Sequence, residues 1–166
     1  MYRRKVQMFF LNNKKEIAVV LLWIMSISLI VIISYYSIYL SSEKWKTYNI
    51  AWHPTEGPTL NIFSMSLMFI LSMLVGLFLD DIKKLIYGLF LTLVSSFIIS
   101  VFFGFIYIWF FLGYSGTFSE IPHGWEWVIY MSFLNCFRMY VPAAITMLIF
   151  GASVGSLTSS YILKRR

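Results

Sequence analysis

The sequence predicts an all-α integral membrane protein with four transmembrane helices, both termini cytoplasmic, and an outer interfacial helix before the fourth span. Three observations predict it. Of the 166 residues, 60% are hydrophobic and only 12% are charged, against roughly 25% charged in an average soluble domain. A soluble chain of this length has too much surface for its volume to hide so many apolar side chains. The apolar residues fall into runs of membrane-spanning length. Most of the basic residues fall at the ends of those runs, and in a four-span chain ten of the thirteen share one side.

The charge pattern sets the expected orientation. Arg3, Arg4, Lys5, Lys14 and Lys15 precede the first apolar run, Lys83 and Lys84 sit in a short central break, and Lys164, Arg165 and Arg166 end the chain. With four spans, these ten share one side. The other side holds Lys44 and Lys46, with Glu43, Glu56, Glu120 and Glu126. Ten against two, with Arg138 still to be placed, is a positive-inside bias that places both ends in the cytoplasm, with the plasma membrane as the expected location. The net charge of +6 is therefore read as orientation and attraction to anionic head groups, not as nucleic-acid binding.

Residues 1–16 form a basic cytoplasmic N-terminus, and the first span is 17–40, without a charge. At 1.5 Å per residue it is about 36 Å long, enough for a core of about 30 Å. It is too long for a cleavable signal and lacks a small-residue cleavage site, so it reads as a retained signal anchor. Residues 41–58 form an outer loop in which Pro54, Gly57 and Pro58 mark turns. The second span is 59–79, followed by Asp80 and Asp81, one of which is expected to cap the next helix. So short a link makes the second and third spans antiparallel neighbours. The third span is 85–112, long enough to tilt or protrude, and 113–124 is a second outer loop.

Residues 125–163 are too many for one simple span and contain Arg138 and Pro142. In one reading 125–140 is an interfacial helix and 142–163 is the span, which leaves Arg138 near the outer surface. In the other, 128–150 spans and Arg138 lies near the midplane, at about 2.5–3.5 kcal/mol. That cost, and the preference of proline for the first helical turn, favour the first reading. Residues 164–166 close the chain on the cytoplasmic side.

Gly151 and Gly155 stand four apart with Ser159 a turn on, a small-residue face that lets a second helix approach closely. Packing within the chain and contact with another subunit both fit it. Ser132, Asn135 and Arg138 recur every three residues, an expected outer polar face turned to water, head groups or a partner. An arginine there suits an anionic lipid head or a partner carboxylate. Trp45, Trp52, Trp125 and Trp127 are the expected outer aromatic contacts. Serines recur in the first three spans, where each can bond its own helix or a neighbouring one.

Chemistry is sparse. His53 and His123 are the candidate metal ligands, on different outer loops near Glu56, Glu120 and Glu126, with no ligand spacing to join them. Cys136 is the one cysteine and has no internal partner for a disulfide. No catalytic residue or cofactor site is assigned. The expected function is a non-catalytic accessory or structural subunit of a larger membrane complex, with the lipid bilayer and other membrane subunits as partners. The alternatives are a small transporter or channel acting as a homo-oligomer and a metal-dependent membrane enzyme component.

Overall fold

A computed structural model describes residues 14–41, 59–79, 81–112 and 124–164. Among them the ordered elements are all helical: α1 (Lys14–Ser41), α2 (Ile62–Phe78), α3 (Ile82–Ile106), α4 (Gly124–Met139) and α5 (Ile145–Lys164). Two wider-turned π segments, Tyr107–Leu112 and Tyr140–Ala144, extend α3 and join α4 to α5.

The helix starts follow from local chemistry. Asn61, extended at φ −76° and ψ 163°, accepts the Ser64 N–H at 2.7 Å through its side chain and so caps α2. The second helix thus begins three residues inside the expected 59–79 span, because Asn61 supplies the acceptor that its first turn needs. Asp81 accepts the Lys83 N–H at 2.9 Å and caps α3, the role expected of one of the two aspartates. The long last segment is broken where Pro142 stands. Val141 leaves the helical region (φ −111°, ψ 122°), and the Val141–Pro142 peptide is cis. Proline has no N–H for the Arg138 carbonyl four residues back, so the regular ladder cannot continue through it.

The contacts give each helix a direction. Glu16 pairs with Lys84, and a Cβ on Gly88 would lie 3.2 Å from Val20; a Cβ on Gly104 would lie 3.6 Å from the Tyr35 hydroxyl. Residue numbers rise together, so α1 and α3 run parallel. Trp23 meets Ser72 and Ser34 meets Ser64, so α2 runs the opposite way. Gly151 lies against Phe69 and Ser72, and Gly155 against Met73 and Gly76, so α5 runs parallel to α2. Ser132 lies by Gly104 and Tyr140 by Ser100, so α4 is antiparallel to α3. The chain therefore goes up, down, up and down, and Lys14, Lys15, Lys83 and Lys84 gather at one end.

The core is a stripe on each helix. On α1 it is Trp23, Ile27, Val31 and Tyr35, four apart and all nearly inaccessible. Met68 and Leu79 join it from the second transit, Met139, Tyr140 and Leu148 from the last. The α3 stripe differs in kind: Gly88, Thr92, Ser96, Ser100 and Gly104, small or hydroxylic, again four apart. The outward faces are apolar. Leu22, Ile62, Phe63, Phe78 and Leu157 are among the most exposed side chains, a shell suited to lipid and far larger than soluble monomers expose. Three stretches, Lys14–Ser37, Ile82–Ile106 and Val128–Tyr161, are long and apolar enough to cross a membrane. Ile62–Phe78 is apolar but shorter.

Candidate functional site

Polar side chains concentrate where α1, α3 and α4 meet in the half of the bundle away from the Glu16–Lys84 pair. Tyr35 reaches in from α1 and is 2% exposed. Asn135 of α4 donates to its phenolic oxygen at 3.4 Å. Gly104 lets Ser132 and Tyr35 close on α3: a Cβ there would meet Ser132 Oγ at 3.5 Å. Tyr107 stands edge-on to both Tyr35 and Tyr36, at centroid separations of 6.3 and 5.7 Å. A turn lower, Ser100 gives its one proton to the Ser96 carbonyl at 2.7 Å. The Tyr140 hydroxyl, 3.2 Å away, therefore donates to Ser100 Oγ. Phe97 seals this pair, edge-on to Tyr140 at 5.3 Å and to Phe133 at 5.4 Å.

The same device recurs deeper. The Trp23 indole N–H donates to Ser72 Oγ at 3.2 Å, and Ser72 passes its proton to the Met68 carbonyl at 2.8 Å. In both cases an aromatic donor from one helix engages a serine that is bonded back to its own helix. Ser34 and Ser64 add a direct hydroxyl bond between α1 and α2 at 2.8 Å. The serines thus divide into two uses. Ser28 and Ser66 bond only backbone in their own turns, whereas Ser34, Ser64, Ser72 and Ser100 join helices.

The expected outer polar face is only partly outward. Ser132 and Asn135 are buried, and Ser132 donates to the Val128 carbonyl at 2.7 Å. Steps of three residues fall about 60° short of a turn, so Ser132 and Arg138 are about 120° apart around α4. The helix buries Val128, Ser132, Asn135, Cys136 and Met139 and leaves Arg138 half-buried on the flank. Water or head groups are therefore not what Ser132 and Asn135 face; α1 and α3 are.

Gly151, Gly155 and Ser159 are buried. The two glycines lie against α2: a Cβ on Gly151 would meet the Met73 backbone nitrogen at 3.2 Å, and one on Gly155 the Gly76 Cα at 3.0 Å. Gly76 completes the contact from the other side. This face is used within the chain. Trp125, near the start of α4, is 55% exposed. Trp45, Trp52, His53 and His123, and the Trp127 side chain, lie outside the described residues. Among the described residues no three His, Cys, Asp or Glu side chains converge on a metal-sized site. Cys136 is a free thiol, fully buried.

Sequence reasoning did not single out Tyr140, Trp23 or Gly76. The spacing of 88, 92, 96, 100 and 104 carried a readable signal, since small and hydroxyl residues four apart share one face. The aromatic donors carried none, because tryptophan and tyrosine are expected at membrane interfaces rather than in the bundle. No protein-family model, curated protein or solved structure matches the chain.

Proposed function

We propose that the chain is a four-span, non-catalytic subunit of a larger membrane assembly, with both termini cytoplasmic. One observation carries this reading: four pairs of polar side chains inside the bundle are engaged with one another across helices. Tyr140 is held on Ser100, Trp23 on Ser72, Asn135 on Tyr35, and Ser34 on Ser64. Side chains so engaged lock helices together, and the work of such a bundle falls to its surface. That surface is broad and apolar, with Trp125, Tyr130, Phe133 and Phe137 open on α4. The gathering of Lys14, Lys15, Lys83 and Lys84 at one end supports the cytoplasmic placement of that end. The test is gentle solubilisation of the native protein, followed by sizing and mass spectrometry of what co-purifies. Companions at constant ratio are expected. Recovery as a lone, stable monomer overturns the reading.

A second reading, a small transporter or channel working as a homo-oligomer, is favoured by Thr92. Its hydroxyl is fully buried on the α3 stripe and has no hydrogen-bond partner, and an unmet hydroxyl in a line of small residues suits a polar solute. Solute flux in liposomes that Thr92→Val abolishes would establish it. The metal-dependent alternative rests on His53 and His123 and is decided by metal analysis of the purified protein.

A further inference from the structure

The geometry points to Arg138 as the binding site for a lipid phosphate at the membrane face opposite the basic end. Arg138 is half-buried in the last turn of α4, and among the described residues its side chain makes no hydrogen bond or ion pair, in contrast to the engaged polar groups beside it. Its depth follows from its neighbours. Ser132, six residues earlier on the descending α4, packs against Gly104, and from residue 84 to residue 104 α3 rises about 30 Å. Lys84 and Glu16 form the charged layer at the other end. A hydrocarbon core of about 30 Å counted from that layer ends at the level of Ser132, about 9 Å beyond Arg138, a gap that the long side chain narrows by extending its guanidinium toward the head groups.

The surroundings select a lipid over a free anion. Inward from Arg138 the chain presents Val141, Pro142, Ile145 and Ile149, all apolar and open or half-open. A phosphodiester paired to the planar guanidinium would lay its acyl chain along that run. Among the described residues the protein offers it the nearby carbonyl end of α4, which a cation in the last turn complements without satisfying the guanidinium donors.

This inference rests on the chain lying in a bilayer, not on its having protein partners. The experiment compares wild type with Arg138→Gln and Arg138→Lys, each purified in nanodiscs of phosphatidylcholine containing a minority of phosphatidylglycerol. Lipid retained after detergent exchange is counted by native mass spectrometry. Wild type is expected to retain phosphatidylglycerol about tenfold more than Arg138→Gln, the scale of one lost charge-assisted pair, with Arg138→Lys between them. Inorganic phosphate is expected to compete only feebly. Equal retention by wild type and Arg138→Gln overturns the site. Displacement by inorganic phosphate as effective as by lipid overturns the role of the apolar run. Release of a protein companion by Arg138→Gln, with lipid retention unchanged, assigns the guanidinium to a partner carboxylate instead. Extraction of the wild type by alkaline carbonate would remove the bilayer premise itself, a result separate from all three.

Discussion

Asn135 on α4 donates a hydrogen bond to the phenolic oxygen of Tyr35 on α1, a hundred residues earlier in the chain and 3.4 Å away. It ties the first transit to the last on the side of the bundle where neither is a sequence neighbour of the other. Hydrogen bonds of this kind within membrane helices average about 0.6 kcal/mol and reach about 1.7. Tyr35→Phe and Asn135→Leu are expected to destabilise singly by about 1 kcal/mol. The double variant should recover about 0.5 kcal/mol of their sum, measured by thermal or denaturant unfolding in detergent. Strict additivity would show that the two do not interact.

Gly155→Ala and Gly88→Ala separate close helix approach from ordinary packing. At Gly155 the new Cβ meets backbone of α2, including the Gly76 Cα at 3.0 Å; at Gly88 the nearest atom is the Val20 side chain at 3.2 Å. Backbone cannot step aside without moving the helix. Gly155→Ala is expected to cost about 1–3 kcal/mol, and Gly88→Ala less than about 0.5 kcal/mol. Melting of both variants beside wild type checks the order, and a reversed order refutes the packing described.

Thr92→Val and Ser100→Ala should act in opposite directions. The Thr92 hydroxyl is buried without a partner, whereas Ser100 holds Tyr140. Removing the first relieves a desolvated donor and is expected to raise stability by up to about 1 kcal/mol. Removing the second leaves the tyrosine hydroxyl without its acceptor and is expected to lower stability by about 1 kcal/mol. A marked loss in Thr92→Val would mean that the hydroxyl is engaged by something the bundle holds, in keeping with the transporter reading.

Orientation is open to direct chemistry. In a Cys136→Ala background, single cysteines replacing Lys14 and Lys83 are expected to react with a membrane-impermeant maleimide only after permeabilisation. One replacing Trp125 should react in intact cells. Labelling of the Lys83 position from outside reverses the proposed topology.

The helical class was readable from the apolar runs, and the helix boundaries from particular residues. Asp81 at the α2–α3 link and Pro142 in the last segment both act where their chemistry places them. Asn61 shows the limit: in the sequence it looks like one more solvated amide near an interface, and its capping role depends on the Ser64 N–H three residues on. The face carrying Ser132 and Asn135 was legible as a face but not as an inward one. A polar stripe on an apolar helix points to water or to a partner helix with equal ease, and the partner here, Tyr35, is a hundred residues away. Trp23 illustrates the same gap from the other direction. Its size and indole suggest an interface, yet it is 2% exposed because Ser72 offers its N–H an acceptor inside the bundle.

The backbone contact between α2 and α5 bears on how the chain is made. α2 rests on Gly151 and Gly155, which leave the ribosome some eighty residues after it (155 against 76). During synthesis α2 is made before the helix that packs on it, and the backbone around Gly76 stays uncovered until α5 follows. Nascent chains stopped before residue 145 are thus the ones a quality-control protease should find.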